Sequence, residues 1–118
     1  MIQERLNKIL KLMMDKKMPQ MIVSDPNTIF YLTGRWFHTG ERMIALYINI
    51  NGNTKLFLND LFPVNEDLGI EIVRFNDNQE PVSKLTEYVE KDKPIGIDKT
   101  WPSRFLLKLM ELGGGSSF

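Results

Sequence analysis

The sequence has no cysteine and only one histidine, His38. Without cysteine the chain forms no disulfide and no thiolate metal site, which fits a cytoplasmic protein. A single histidine rules out two-histidine metal motifs, and the acidic residues are scattered along the chain. Phosphate-binding loops and the serine-hydrolase motif G-x-S-x-G are also missing. We therefore expect neither a complete catalytic site nor a metal site within this chain.

The sequence also lacks an excess of charge and a long apolar run. Fifteen basic residues balance fifteen acidic ones, so the chain has no electrostatic preference for nucleic acid. No apolar run approaches the ~20 residues of a membrane span. The first helix contains charged residues and so lacks the continuous apolar core of a signal peptide. We expect neither nucleic acid nor a membrane to be a partner.

The 118 residues, 42% hydrophobic and 25% charged, have the composition of one globular domain. Apolar spacing and proline positions predict helices at 2–17, after Pro26, after Pro81 and after Pro102. Short apolar segments predict strands at 21–24, 43–50, 55–59, 71–75 and 95–98. Asn51-Gly52 predicts an antiparallel hairpin. Because strands alternate with helices, we expect a three-layer α/β fold, with a mixed sheet of about five strands and helices on both faces.

Three weaker predictions concern helix length and loops. The helix after Pro81 is expected to bury Val82, Leu85 and Val89 and to end near 91–94. The last helix is expected to bury Phe105, Leu106, Leu109 and Met110. Residues 60–68 contain a proline and form either a short helix or an irregular turn.

The stretch from Ser24 to Arg42 is the most informative part of the chain. Asp25 is placed to cap a helix that starts at Pro26. Ile29, Phe30 and Leu32 supply its apolar residues, and Gly34 can end it with a positive φ. A loop with two aromatic residues and the only histidine follows, and it leads through 40–42 into the next strand.

The aromatic loop allows two interpretations. In the first, Trp36 and Phe37 pack against the edge of the domain and His38 is solvated. In the second, the loop is an exposed apolar surface that meets a partner, because aromatic and arginine side chains are frequent anchors of interfaces. Trp101 allows the same two interpretations, with packing beside Pro102 the more ordinary one.

Several motifs together resemble the N-terminal domain of Xaa-Pro peptidases, the aminopeptidase P and prolidase enzymes, which is shared with creatinase. The resemblance spans essentially all of the chain. Pro26 and Asn27 are adjacent here, one residue closer than in some members of the family. The matching motifs are Arg5-Leu6, Asp25-Pro26-Asn27 with Tyr31-Leu32-Thr33-Gly34, Gly40-Glu41-Arg42, Gly52, Leu56-Phe57 and the region 98–112.

The resemblance implies a ribonuclease H-like domain over residues 1–112. It further implies that 113–118 begin a linker to a C-terminal catalytic domain of pita-bread fold, which this chain lacks. In the family that domain binds two divalent ions, manganese, cobalt or zinc, through two Asp, one His and two Glu. None of these ligands can be placed in this sequence, so no cofactor is expected in this chain.

The resemblance also implies a role and partners. The chain would be the non-catalytic N-terminal domain of a metal-dependent Xaa-Pro dipeptidase or aminopeptidase, contacting its own catalytic domain and a second subunit of a homodimer. It would restrict the access of proline-containing peptides to the catalytic cleft. The candidate contact residues are Trp36, Phe37, His38 and Arg42, with Trp101 weaker. A stand-alone binding module, or an accessory domain of a creatinase-like amidinohydrolase, stays open as an alternative.

Overall fold

A computed structural model describes residues 1–38 and 40–118, and in these ranges the chain forms five strands and four helices. Their order in the chain agrees with the sequence prediction. The elements are α1 (Gln3–Asp15), β1 (Gln20–Val23), α2 (Pro26–Thr33), β2 (Ala45–Asn49), β3 (Thr54–Asn59), β4 (Glu71–Phe75), α3 (Pro81–Thr86), β5 (Gly96–Ile97) and α4 (Ser103–Glu111).

The strands form one mixed sheet in the order β4-β3-β2-β1-β5. Strand β2 pairs antiparallel with both β1 and β3, and the two outer pairs, β3 with β4 and β1 with β5, are parallel. The β2–β3 hairpin turns at Asn51-Gly52, where Gly52 adopts a φ of 91° that glycine allows without strain. The predicted mixed sheet of five strands is confirmed.

Helices cover both faces of the sheet, which confirms the three-layer α/β prediction. Alternate residues of β2 explain why, because Leu46 and Ile48 point to one face and Ala45 and Tyr47 to the other. Helices α1 and α2 pack on the Leu46 face, and α3 and α4 pack on the Tyr47 face. A strand that is apolar on both faces is what a sheet buried between two helical layers requires.

Helix α2 begins and ends as its sequence predicts. The side chain of Asp25 accepts a hydrogen bond from the backbone N–H of Asn27, and Pro26 occupies the first helical position. At the other end Gly34 has a φ of 78°, and its N–H donates to the carbonyl of Phe30 at 2.8 Å. Both ends are therefore fixed by residues within or next to the helix.

Asp98, just after β5, fixes the entrance to α2. Its carboxylate accepts hydrogen bonds from the backbone N–H groups of Ser24 and Asp25 at 2.6 and 2.9 Å. It also accepts from the hydroxyls of Ser24 and Thr100 at 2.6 and 3.3 Å. Four donors on one carboxylate tie β1, β5 and the start of α2 together. Asp98, one of the scattered acidic residues of the sequence, therefore has a structural role.

Three local predictions need correction or refinement. Helix α3 ends at Thr86, and Val89 lies beyond it, partly buried against the core. Met110, assigned to the buried stripe of α4, is 48% exposed, whereas Phe105 and Leu109 are buried and Leu106 is partly buried against the core. Residues 60–70 form turns and bends rather than a helix.

Among the described residues, none of the helices has the length and apolar character needed to cross a membrane.

Candidate functional site

We refer to residues 35–42 as the aromatic loop; Thr39 lies outside the described residues. Its first anchor is the end of α2. The hydroxyl of Thr33 donates to the carbonyl of Ile29 at 2.7 Å and accepts from the N–H of Arg35 at 3.1 Å. Together with the left-handed Gly34, these bonds set the direction in which the chain leaves the helix.

The second anchor is Phe37, which is only 3% exposed. Its ring meets that of Phe62 edge to face at 6.3 Å, in the core cluster beneath α1 and α2. The guanidinium of Arg35 lies 5.4 Å from the centre of the Phe37 ring and donates to the Glu66 carboxylate at 2.5 Å and to the Pro63 carbonyl at 2.9 Å. The Arg35 hydrogen bond lowers the pKa of Glu66. Residues 62–66 and the aromatic loop therefore hold each other in place.

The third anchor is an ion pair at the end of the aromatic loop. Arg42 donates through Nε and Nη2 to the two carboxylate oxygens of Asp77, at 3.1 and 2.9 Å. The amide of Asn59 donates to the same carboxylate at 2.7 Å. The hydrogen bond from Arg42, followed by that from Asn59, lowers the pKa of Asp77, and the same pairing raises the pKa of Arg42. The bidentate geometry fixes the orientation of the guanidinium as well as its charge.

The loop also exposes Trp36 and His38 to solvent. Trp36 is 43% exposed, and its ring meets that of Phe30 edge to face at 6.2 Å. Phe30 is 48% exposed, so this residue of α2 belongs to the surface and not to the core. His38 is exposed as well. We call Phe30, Trp36 and His38 the aromatic surface.

Trp101, the fifth sequence candidate, lies away from the aromatic surface. It is 6% exposed, and its ring packs against that of Phe105 at 5.9 Å. Trp101 and Arg42 both line a small cleft of about 130 Å³ beside the N-terminal end of α4. The structure therefore divides the five candidates: Trp36 and His38 are on the surface, Phe37 is in the core, and Arg42 and Trp101 share the cleft.

Sequence reasoning missed the residues that hold the aromatic loop. The role of Arg35 could have been predicted, because an arginine beside two aromatic residues often stacks on one of them. Nothing in the sequence indicated the partners Asp77, Phe62 and Glu66, since each is more than 20 positions away from its contact in the loop. In the structure the buried residues of α2 are Ile29, Leu32 and Thr33, and Phe30 lies outside the face that they form.

The described part of the chain contains no group of three or more His, Asp or Glu side chains that could hold a metal ion. Two carboxylates near the aromatic loop are bound by arginine side chains, in the pairs Arg42–Asp77 and Arg35–Glu66. These ion pairs position the loop.

Comparison with known families identifies the domain. The family model described as the creatinase/prolidase N-terminal domain matches residues 5–118. The chain belongs to this family. The resemblance inferred from the D-P-N and Y-L-T-G motifs is thus confirmed, and the aromatic loop lies inside the matched region. A search of curated protein sequences finds no match.

Solved structures of similar fold include isolated domains and longer chains. The creatinase/prolidase N-terminal domain of an X-Pro dipeptidase from Streptococcus pyogenes is 21% identical, with a TM-score of 0.80 over 98% of this chain and 92% of that one. A dipeptidase from Pyrococcus horikoshii is 24% identical, with a TM-score of 0.81 over 97% of this chain and 33% of its own. A prolidase from Thermococcus sibiricus is 21% identical, with a TM-score of 0.80 over 100% and 34%. At these identities the likeness concerns the fold.

Proposed function

We propose that this creatinase/prolidase N-terminal domain works as the non-catalytic part of a metal-dependent Xaa-Pro dipeptidase or aminopeptidase. The observation that supports the proposal most strongly is the family match over residues 5–118. The domain spans about one third of the Pyrococcus dipeptidase and the Thermococcus prolidase, so a C-terminal catalytic domain would follow it. That domain would hold the two divalent ions, manganese, cobalt or zinc, and carry out peptide hydrolysis.

Within such an enzyme the domain restricts which peptides reach the catalytic cleft. The aromatic surface supports this role because two of its exposed side chains, Trp36 and His38, belong to a loop that is anchored on both sides, and the third, Phe30, belongs to α2. Phe37 and Arg35 fix the loop from within, and the Arg42–Asp77 pair fixes its end. A surface held in this way contacts a peptide with only a small loss of conformational entropy.

The aromatic surface has the chemistry that a short proline peptide requires. Trp36 offers an apolar face for the pyrrolidine ring, and Phe30 extends this face across the end of α2. His38 offers hydrogen-bonding nitrogens to a polar peptide terminus. Following the family resemblance, the proposal includes a cytoplasmic homodimer in which this surface lies over the catalytic cleft of the partner subunit.

The reading frame beyond Phe118 gives the first test. We expect it to encode a domain with two Asp, one His and two Glu as metal ligands. The longer protein supplied with Mn²⁺ should cleave Xaa-Pro dipeptides, and the 118-residue chain alone should not. A stop codon directly after Phe118, or turnover by the purified chain alone, would contradict the proposal.

Substitutions in the longer enzyme test the access role. Trp36→Ala and His38→Ala should raise KM, or change the preference between dipeptides and longer peptides, severalfold, while kcat changes less. Leu61→Ala is the matched control, because Leu61 is a large apolar residue that is 63% exposed in a different loop. Kinetic constants that stay unchanged in both test variants would remove the access role and leave the family assignment intact.

A further inference from the structure

The last residues of the chain pack closely against the domain. Residues 113–117, three glycines followed by two serines, have the composition of a flexible linker. In the structure, however, a Cβ added at Gly114 would collide with the side chain of Leu109, and a Cβ at Gly115 would lie 2.6 Å from Cγ2 of Ile95. The backbone therefore approaches the core so closely at these two positions that glycine is required.

The chain beyond these glycines runs beside β5 in the same direction. The N–H of Ser116 donates to the carbonyl of Lys93 at 2.9 Å, and the N–H of Ile95 donates to the carbonyl of Ser117 at 3.0 Å. The numbers of the bonded residues rise together in the two segments, as they do between parallel strands. Parallel neighbours need a crossover connection, usually a helix, and α4 lies between β5 and Ser116. These residues therefore have the connection and the direction of a parallel strand beside β5.

Beyond Ile95 the outer edge of β5 is open. The N–H groups of a strand point alternately to its two sides. That of Asp98 donates to the carbonyl of Ile22 in β1 at 3.3 Å, so those of Ile95 and Ile97 point away from β1. Ile95 donates to Ser117, whereas the N–H of Ile97 has no backbone acceptor among the residues that the structure describes. An unpaired N–H at a sheet edge is a template for a further strand.

A groove of about 550 Å³ adjoins this open edge. Its apolar walls include Ile97 of β5, Leu106 and Met110 of α4, and Phe118. Met110 and Phe118 are 48% and 45% exposed. Because side chains alternate along a strand, every second residue of a strand that continued past Phe118 would point to the face on which α4 lies. Those side chains would cover the exposed walls of the groove.

We propose that residues 116–118 start a sixth strand, parallel to β5, which the residues after Phe118 continue in the longer enzyme. This inference rests on the proposed function, which supplies the longer chain; this chain covers only 33% of the Pyrococcus dipeptidase and 34% of the Thermococcus prolidase. Because parallel strands advance in step, the carbonyl of the residue directly after Phe118 accepts the N–H of Ile97. The connection to the catalytic domain then begins beyond this strand and not at residue 113.

Amide hydrogen exchange at Ile97 tests the strand directly. Nuclear magnetic resonance compares the 118-residue chain with the same chain extended by the next six residues of the reading frame, which lacks the catalytic domain. The extension should slow exchange at Ile97 by about tenfold or more, because it supplies the missing acceptor. Ile72 in β4, at the opposite edge of the sheet, is the control and should exchange equally in both chains. Equal exchange of Ile97 in the two chains would overturn the proposal.

The longer enzyme separates this inference from the proposed function. Exchange at Ile97, measured there by mass spectrometry, should be as slow as in the extended chain, and peptidase activity is assayed independently. An active enzyme in which Ile97 exchanges fast would overturn the strand alone. A longer protein without peptidase activity in which Ile97 exchanges slowly would overturn the proposed function alone.

A pair of glycine variants tests the start of the strand in the 118-residue chain. Gly115→Ala should lower the urea concentration at the midpoint of unfolding, because the added Cβ forces the backbone away from Ile95. Gly40→Ala is the matched control, since its Cβ would meet open space. Equal midpoints for the two variants would mean that residues 113–117 are a loose linker, and the proposed strand would then have no fixed start.

Discussion

The two halves of the Ser24–Arg42 stretch are held in place by different kinds of interaction. The first half is fixed through its backbone, because the Asp98 carboxylate accepts the N–H groups of Ser24 and Asp25 and the helix α2 follows at once. The described residues of the second half lie outside helices and strands and are fixed by the side chains of Phe37, Arg35 and Arg42.

The difference shows how one short stretch can combine a firmly held helix start with an exposed contact surface. Backbone hydrogen bonds order a segment uniformly, whereas side-chain anchors order a few points and leave the residues between them free for contact. Trp36 and Phe37 show this contrast in adjacent positions, with 43% and 3% of their surfaces exposed. Substitutions that remove one kind of interaction at a time should therefore affect the two halves differently.

The largest effect is expected from the adjacent aromatic pair. Phe37→Ala should lower the free energy of unfolding by about 3–5 kcal/mol, because it removes a buried ring and leaves a cavity beside Phe62. Trp36→Ala should change it by about 1 kcal/mol or less, since the indole is partly exposed. Urea unfolding of the isolated chain gives both values. Similar losses in the two variants would mean that the contrast between the anchor and the exposed residue is wrong.

The backbone anchor of the first half comes next. Asp98→Ala should lower the free energy of unfolding by about 2–3 kcal/mol, because it leaves the partly buried donors of Ser24 and Asp25 without their acceptor. Asp92→Ala, at an exposed aspartate in the turn before β5, is the control and should have little effect. If both variants unfold at the same urea concentration, Asp98 does not anchor the start of α2.

The junction between the two halves depends on one glycine. Gly34→Ala should cost about 1 kcal/mol, because the φ of 78° strains any residue with a Cβ although open space surrounds the position. Gly40→Ala in the same loop is the control, since Gly40 has equally open surroundings and no positive φ. Thermal unfolding compares the pair, and a loss no larger in Gly34→Ala than in Gly40→Ala would refute the strain argument.

The smallest effect concerns pH. Arg42 holds the pKa of Asp77 below its ordinary value of 3.8, so the pair stabilises the fold above that value and the contribution is lost as the pH falls through the lowered pKa. Arg42→Gln should therefore be less stable than the original chain near neutral pH, and the difference should shrink at about pH 3. Urea unfolding at both pH values checks this. A difference that grows on acidification would contradict the assigned sign.

Much of the fold could be predicted because its signals are local. The cap at Asp25, the end at Gly34 and the turn at Asn51-Gly52 each depend on a few neighbouring residues. Helix α3 was predicted too long because the apolar spacing continues to Val89, whereas in the structure the helix ends at Thr86.

The candidate site could be predicted only in part because its anchors are distant in the sequence. The pattern located the aromatic loop, and nothing in it revealed that Phe37 would be buried and Trp36 exposed. Phe37 is buried against Phe62, Arg35 binds Glu66, and the end of the loop is held by Asp77. Burial at a loop depends on which distant segments the fold brings together, and residue type alone does not encode this.

The most direct test asks whether position 36 touches the substrate in the longer enzyme. A photo-crosslinking phenylalanine analogue at position 36 should react with a non-hydrolysable Xaa-Pro dipeptide, and excess unlabelled dipeptide should suppress the reaction. The same analogue at position 61, also in an exposed loop, should remain unreacted. Equal labelling at both positions, or none at position 36 in an enzyme that still cleaves Xaa-Pro peptides, would contradict the idea that this loop lines the path of the substrate.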